Sequence, residues 1–473
     1  GRSRPMLALC QVAALSLRLS PLGITMQVPA GLERGVVSNL PGNPSPSDAS
    51  SFVDDPRGFC AERLRVHGSM FATSARSGAV FVGDAAALGA IGTSASAAPG
   101  QPDLAPPFAS VSDAFDEHAV SFSSACYDIA FDWIPKYKEA GFSTFRFEDF
   151  IDGRVRRLRS SVRSMMFRSI APIFLGIEPS ALTTSLGFGR DKAASRALDK
   201  AYASYASSMV ARSKPAPFGL PKLDLPNPLD ALGGGDADSL EEGVRRLAAE
   251  RGADASSAMW ELASTVEQAT ALLCNMLAAA QEHSAASKVL SDEQARVLKG
   301  VGPTAPITSD LLAQMDDLES FLKETCRLYP PCRPATRVLG ESVEAGEHTL
   351  PAGTLVAPEP FVAHFASYEN AERFDPSRSF SDEAGKRLPL MPFATGAGEA
   401  VCPVTSVGET LTLELVKAAF VQLRRMFEEV RLGASPPPEP CGFPLHTIDE
   451  RIEVLLKPKM YYEIQRGVKK LRF

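Results

Sequence analysis

The chain has 473 residues, of which 45% are hydrophobic and 22% are charged, and this composition is typical of a globular protein with a substantial core. A formal net charge of −7 and a pI near 5.6 argue against a nucleic-acid-binding protein, which would normally be basic. The eight cysteines include no C-x-x-C pair and no cluster with zinc-ligand spacing, so reduced thiols are expected rather than a disulfide framework or a zinc site.

The start of the chain differs from the rest in charge. Its first 32 residues carry three arginines and no acid, and the apolar run from Met6 to Leu17 is too short to span a bilayer. Such a start is typical of a segment left by import into an organelle, or of an interfacial anchor. We therefore expect residues 1–39 to be a processed targeting remnant or a membrane-associating segment, and residues 40–473 to form a single domain. The expected location is a chloroplast, a mitochondrion or a membrane surface.

The first predicted elements lie in a unit between two loops rich in proline, glycine, alanine and serine. An amphipathic helix is predicted from Arg57 to Val66. The apolar stretches "SMFATSA" and "AVFVGD" then predict a β-hairpin with Ser77 and Gly78 at its turn. A small helix from Ala85 to Ile91 completes the unit.

A basic helix is predicted next, from Arg154 to Arg168 in "GRVRRLRSSVRSMMFR". The simplest interpretation of such a run is a solvated helix face. On an acidic chain it is also a candidate docking surface for a protein complex or a membrane, because clustered positive charge attracts acidic surfaces and anionic head groups.

The second half of the sequence is dominated by helical patterns. The stretch "SSAMWELASTVEQATALLCNMLAAAQEH" is apolar nearly all round and predicts a buried central helix. A helix with Ser309 as its N-cap follows and ends before Pro330. Short strands are predicted in "ESVEAGEHTLPAGTLVAPEP", and a last helix from about Gly408 to Phe427. The predicted class is mainly α with small β-sheets.

Three motifs occur in a fixed order late in the chain. Glu324 and Arg327 lie three residues apart, so they share one face of their helix. The stretch "FDPSRSF", which contains Arg378, follows, and after it "TGAGEAVCP", which contains Cys402. This order and spacing resemble the cytochrome P450 family, in which a helical E-x-x-R precedes F-x-P-x-R-F and a glycine-rich loop with an axial cysteine. The predicted hairpin unit is also similar to the front of that fold, so the resemblance covers roughly residues 40–460.

The resemblance implies a cytochrome P450 fold and a heme b whose iron is ligated by Cys402. Glycines would let the loop backbone approach the porphyrin, and N–H groups near the sulfur would tune its donation to iron. Glu324, Arg327 and Arg378 would form a buried ion triad that holds the loop in place, which is an architectural role. The implied cofactor contacts are Cys402, Arg337, Phe393, Gly396 and Gly398.

The sequence also departs from the family pattern. Ala400 stands where the family places an Arg or His on a heme propionate. In the central helix Glu267 is available as an acid, but Gln268 and Ala269 occupy the positions of a threonine pair that delivers protons to bound oxygen. The candidate catalytic residues on this distal helix are therefore Glu267, Gln268 and Thr270. Glu267 is open to a second interpretation, as a helix residue satisfied by Arg246 or by solvent.

Two classes of function remain open from the sequence. In the first, the chain is a heme-thiolate enzyme, either an atypical oxidoreductase or one that rearranges an organic hydroperoxide, with a hydrophobic small molecule or lipid as substrate. In the second, it is a degenerate, heme-free subunit with a structural or binding role in a larger organellar or membrane assembly. Retention of Cys402 and the ion triad favours the first class, and loss of the threonine pair favours the second. Cys402 is then either the iron ligand or a buried apolar cysteine.

Overall fold

The computed structural model describes residues 40–93 except 43, 156–175, 255–331 except 304, 336–390, 406–433 and 452–459, with isolated positions within 113–122 and 245–249 and at 447. Helices form most of this part: α1 (Asp48–Asp54), α2 (Pro56–His67), α3 (Ala85–Thr93), α4 (Leu158–Leu175), α5 (Ala255–Glu282), α6 (Ser284–Val297), α7 (Ser309–Leu312), α8 (Asp316–Leu328), α9 (Pro360–Ser367) and α10 (Ser406–Met426). The strands are short: β1 (Met70–Ala72), β2 (Val80–Val82), β3 (Arg156–Arg157), β4 (Arg337–Val338), β5 (Val343–Ala345), β6 (His348–Leu350), β7 (Leu355–Pro358), β8 (Phe427–Leu432) and β9 (Glu453–Pro458). The predicted class, mainly α with small sheets, is confirmed.

The front unit forms as its pattern predicts. Helix α2 begins behind Asp55, whose carboxylate accepts a hydrogen bond from the N–H of Gly58 at 2.9 Å, and Pro56 occupies the first helical position. Strands β1 and β2 pair antiparallel, with Phe71 opposite Phe81. The turn between them is a short 3-10 segment that ends at Gly78, where φ is +80° and glycine carries no Cβ penalty.

A four-stranded sheet joins the two ends of the described chain. Its order is β1-β2-β7-β4, and β2 runs parallel to β7 with Val80 opposite Val356. Strand β4 pairs antiparallel with β7 on the other side. The hairpin from the front of the sequence is therefore completed by strands that lie more than 250 residues later.

Helix α5 is the predicted buried helix and forms the centre of the main core. It packs against α4, α10 and α8, and every described side chain from Val266 to Ala280 except Glu267 is buried. Helix α10 ends at Met426, and Phe427 starts β8, which pairs with β9. None of the helices in the described ranges is long and apolar enough to cross a membrane.

The predicted basic helix is wrong in its extent. Arg156 and Arg157 form β3, which pairs antiparallel with β9, and the helix begins only at Leu158. Arg154 lies outside the described residues. A strand forms here because it pairs with β9. That partner lies roughly 300 residues later in the chain, so a local charge pattern does not reveal the pairing.

The predicted helix that starts at Ser309 is also corrected, because it is two helices. The N-cap of α7 is Thr308, whose hydroxyl accepts from the N–H of Leu311 at 3.4 Å. After a break, the buried carboxylate of Glu293 on α6 accepts from the N–H groups of Asp317 at 2.8 Å and Leu318 at 2.9 Å. A side chain from another helix thus satisfies the first amides of α8 and allows the helix to restart there.

Candidate functional site

The site is organised by an ion pair inside α8. Glu324 and Arg327 are both fully buried, and the guanidinium meets the carboxylate through two hydrogen bonds. Nε of Arg327 lies 2.7 Å from Oε2 of Glu324, and Nη2 lies 2.8 Å from Oε1. This bidentate geometry is the strongest form of charge-assisted hydrogen bond, and it makes burial of two charges tolerable.

The remaining donors and acceptors of the pair bind the segment that follows α9. Arg327 donates to the backbone oxygens of Ala371 at 2.6 Å and Arg373 at 3.0 Å. In return, the N–H of Asp375 donates to Oε1 of Glu324 at 2.8 Å. The ion pair therefore fastens residues 371–375 to α8, in addition to closing on itself.

Arg378 is the third member of the predicted triad, and the structure places it beside the pair. Its Nε lies 3.4 Å from Glu324, a longer contact than those of Arg327. Its other nitrogens donate to the backbone oxygens of Glu369, Asn370 and Arg373. Arg378 therefore ties together the backbone of residues 369–373 and also contacts the carboxylate of Glu324.

Two aromatic side chains complete the network, and motif matching did not assign them to it. Nδ1 of His364 lies 2.7 Å from the backbone oxygen of Arg327, and burial lowers the pKa of His364 to about 3, so the ring is neutral. The ring of Tyr368 lies 5.5 Å from the guanidinium of Arg327 and 5.9 Å from that of Arg378. The spacing of His364 and Tyr368, one helical turn apart in "AHFASYEN", is the signal that could have identified them together.

Tyr368 links the network to the loop that carries the predicted iron ligand. Its hydroxyl donates to the backbone oxygen of Pro389 at 2.9 Å, and burial raises its pKa well above the ordinary value. Pro389 is followed closely by residues 391–405, which lie outside the described residues. The roles predicted for Cys402, Phe393, Gly396 and Gly398 therefore stay predictions. Arg337, the predicted propionate contact, lies in β4 opposite Val356 of β7.

The carboxylate of Glu267 forms an ion pair between α5 and α4. Nε of Arg163 on α4 lies 2.6 Å from one carboxylate oxygen and Nη2 lies 3.1 Å from the other, while Arg159 approaches to 3.6 Å. These side chains are between 16% and 24% exposed, so the cluster is largely shielded from water. The sequence predicts Arg159 and Arg163 on a solvated helix face, but both contact the central helix instead. These two arginines are therefore not available to the predicted docking surface.

The neighbouring residues of α5 have a different environment. Gln268 is buried, and within the described part of the chain its side-chain oxygen has no hydrogen-bond partner. The hydroxyl of Thr270 donates to the backbone oxygen of Val266 at 2.7 Å, one turn back in the same helix. Glu267 and Thr270 are therefore engaged in structural contacts, while Gln268 has a buried amide oxygen that can accept one more hydrogen bond.

The described cysteines behave as packing residues. Cys60, Cys274 and Cys326 are at most 1% exposed, and burial raises the pKa of Cys274 to about 12, so it stays a thiol. The residues that the structure describes contain no group of three or more His, Cys, Asp or Glu side chains able to hold a metal ion. Cys402, the thiolate ligand that the resemblance implies, lies outside the described residues, and the sequence from 365 to 445 contains no histidine.

Comparison with known proteins identifies one family. The sequence profile of the family "Cytochrome P450" matches residues 262–428. Cytochrome P450 734A5 of Oryza sativa subsp. japonica is 36% identical over 128 residues, which are 26% of this chain and 23% of the relative. Cyclooctat-9-en-7-ol 5-monooxygenase of Streptomyces melanosporofaciens is 30% identical over 146 residues, 30% of this chain and 31% of the relative. Thromboxane-A synthase of Mus musculus is 31% identical over 152 residues, 31% and 27% of the two chains.

The likeness extends further in structure than in sequence. The sequence matches span only about a quarter to a third of each of these relatives. The solved structure of retinoic acid bound cyanobacterial CYP120A1 aligns with a TM-score of 0.57, at 17% identity, over 87% of this chain and 96% of that one. The fold is therefore shared along most of the chain, while the recognisable sequence is concentrated between α5 and α10.

Proposed function

Because the chain belongs to the cytochrome P450 superfamily, we propose that it is a heme-thiolate oxidoreductase that acts on a hydrophobic small molecule. The observation that carries this proposal is the buried network of Glu324 and Arg327, which fastens residues 371–375 and, through Tyr368, reaches Pro389 next to the loop with Cys402. Burying two charges is costly, and here the bidentate pair and its backbone partners offset that cost while they hold residues 371–375 against α8. What the pair positions is the chain that leads to the only cysteine in the segment between α9 and α10.

The residues present fit a heme. Cys402 supplies a soft sulfur donor without a competing histidine nearby, and soft donors suit iron in this type of site. Cys402 would hold the iron and Arg337 a propionate, with Phe393, Gly396 and Gly398 forming the loop around the sulfur. When bound, the heme supplies electron-transfer and oxygen or peroxide chemistry. In this proposal the Glu324 network would hold the chain that enters the loop, and the buried apolar residues of α5 would help to exclude water.

Contacts in the central helix support one substrate class within this proposal. Delivery of protons to bound oxygen needs an acid and a hydroxyl that are free to exchange them. Here Glu267 is held by Arg163, and the hydroxyl of Thr270 is bonded within its own helix. An organic hydroperoxide or a related lipid already contains the O–O bond and does not require that delivery. The buried amide oxygen of Gln268 is suited to accept a hydrogen bond from such an O–O–H group.

The first experiment tests cofactor binding. The absorption spectrum of the purified chain, with and without reductant and carbon monoxide, should show a thiolate-ligated heme, and Cys402→Ala should abolish that signature. Cys326→Ala is the matched control, since it removes a buried thiol from the same half of the chain and should leave the spectrum unchanged. A thiolate-type spectrum that survives Cys402→Ala would refute the assignment of the ligand.

A second experiment separates the two kinds of oxidative chemistry. The chain should consume a fatty-acid hydroperoxide without any reductase, and Gln268→Ala should lower this rate while the heme spectrum is retained. Robust turnover with dioxygen and a reductase, lost in Glu267→Gln, would show instead that Glu267 is a catalytic acid. Purified protein without heme would favour the alternative of a subunit in a larger assembly, in which residues 1–39 attach it to an organellar membrane.

A further inference from the structure

One cleft among the described residues is lined by none of the residues assigned to the heme. It is a cavity of about 730 Å³ between α6, the end of α10 and β8. This volume is in the usual range for small-molecule sites. Its described lining includes none of the residues predicted to contact heme or to belong to the ion triad. We call it the α6–β8 cleft.

The polar lining of the α6–β8 cleft is strongly basic, although the whole chain carries a net charge of −7. One acid, Glu428, lies in the lining and offsets a single positive charge. Three serines of α6 also line the cleft, namely Ser284, Ser287 and Ser291, and the hydroxyl of Ser291 donates to the backbone oxygen of Ser287 at 3.1 Å. The cationic residues are Lys288, Arg424, Arg425, Arg431 and Lys459.

Arg424 is the most informative of these cations. Its guanidinium donates to the hydroxyl of Ser287 at 2.9 Å, to the backbone oxygen of Ser287 at 2.8 Å and to the hydroxyl of Ser291. All three acceptors are neutral, and burial alone lowers the pKa of Arg424. No carboxylate in the described part of the chain pairs with it. The ring of Phe420 lies 5.3 Å from this guanidinium, but burying a cation without a counter-charge is unfavourable, so an anion in the cleft would stabilise Arg424.

The cations next to Arg424 also favour a bound anion. Burial and the charges of Arg424 and Arg425 lower the pKa of Lys459, against the opposing effect of Glu428. Lys288 is exposed on the other wall of the cleft. Positive charges that repel one another at close range are stabilised together when a single polyanionic group lies between them.

The chemistry of the lining indicates which anion fits. The exposed ammonium groups of Lys288 and Lys459 carry three N–H donors each, more than the two oxygens of a carboxylate can use well, whereas a phosphate monoester offers three strongly accepting oxygens. The lining also contains apolar side chains that would hold an attached hydrocarbon or ring: Leu277, Ala280, Leu298, Val301, Phe427 and Val430. We propose that the α6–β8 cleft binds a phosphate monoester that carries an apolar group.

Calorimetric titration of the 473-residue chain tests the proposal with simple probes. Hexyl phosphate should bind at least ~tenfold more tightly than hexanoate, because the phosphate uses more donors, and more tightly than inorganic phosphate, because the apolar wall contributes. The affinity should weaken with added salt. Equal binding of hexanoate, or of inorganic phosphate alone, would overturn the assigned ligand class, and no saturable binding of hexyl phosphate would overturn the site.

Variants keep the test independent of folding. The double variant Lys288→Gln with Lys459→Gln changes two exposed side chains and should weaken hexyl phosphate by ~tenfold or more without moving the urea midpoint. Lys386→Gln is the matched control, since this exposed lysine does not line the cleft, and its affinity should equal that of the parent. An unchanged affinity in the double variant would sink the proposal.

A vesicle-binding experiment identifies whether the phosphate belongs to a membrane lipid or to a soluble ester. Retention on phosphatidate vesicles that depends on Lys288 and Lys459 assigns the cleft to a membrane phosphate, and hexyl phosphate binding without retention assigns it to a soluble ester. None of these readouts uses heme or turnover, so failure of the proposed oxidoreductase activity and failure of this site are distinguished.

Discussion

Glu324→Gln is the sharpest test of the buried network, because it removes one charge and almost no volume. Four donors converge on this carboxylate: Nε and Nη2 of Arg327, the N–H of Asp375 and Nε of Arg378. A glutamine offers one acceptor oxygen, and its amino group turns a donor toward the other donors. Arg327, which is fully buried, then keeps its charge with two backbone oxygens, one amide oxygen and the Tyr368 ring, but without a carboxylate to neutralise it.

Breaking a buried pair from one side costs about 3–5 kcal/mol, because the remaining charge stays desolvated. A typical unfolding free energy is roughly 5–15 kcal/mol, so Glu324→Gln should remove about a fifth of the stability or more, or prevent folding outright. The assay is urea unfolding followed by circular dichroism, with the shift in midpoint converted through a common slope.

The matched control is Glu319→Gln, one turn earlier on the same helix. Glu319 is 37% exposed, and its partner Lys417, 3.0 Å away, keeps a second carboxylate, Glu414, at 2.6 Å. Its loss should cost less than about 1 kcal/mol. If Glu324→Gln and Glu319→Gln shift the midpoint equally, the argument from desolvated charge fails. The double variant Glu324→Leu with Arg327→Met should be less unstable than Glu324→Gln, since neither charge remains, and a larger loss would contradict the same reasoning.

Three further predictions follow from single positions. Gly83→Ala places a Cβ 2.5 Å from the backbone nitrogen of Ala363 and should cost about 2 kcal/mol or more in urea unfolding, whereas Gly89→Ala meets nothing within 4 Å and should be neutral or stabilising. Burial lowers the pKa of His364 to about 3 from 6.5. Below about pH 6.5 only the unfolded state gains this proton, so the free energy of unfolding falls by up to about 1.4 kcal/mol per pH unit. The variant His364→Gln should lack that part of the pH dependence. Glu267→Gln should lose about 1–2 kcal/mol through Arg163 while the rate per folded molecule is kept, and an inactive but fully stable variant would contradict this.

The sequence predicts best where structure depends on neighbours along the chain. Helix α2 and the hairpin β1–β2 follow from capping, turn and alternation signals within a few residues of one another. The E-x-x-R motif places Glu324 and Arg327 on one helix face without any tertiary information. These elements match the structure closely because their determinants are local.

The predictions fail where a distant residue decides. The break between α7 and α8 exists because Glu293, from another helix, supplies the acceptor for the amides of Asp317 and Leu318. The pairing of Glu267 with Arg163 joins positions that are 104 residues apart, and no local pattern favours it over solvent. Tyr368 likewise acquires its role only when two guanidinium groups approach its ring.

The parallel pairing of β2 with β7 has a consequence for how the chain emerges from the ribosome. Val80–Val82 are fully apolar and buried, yet their partners at Val356–Pro358 are synthesised 276 residues later (356 − 80). At roughly 5–20 residues per second, the inner edge of the hairpin waits on the order of 15–55 seconds with its amides and carbonyls unpaired. An exposed apolar edge is a template for pairing with another nascent chain. Slowing translation downstream of the hairpin should therefore raise the aggregated fraction, and an added charge at Val80 should lower that fraction while it weakens the finished sheet.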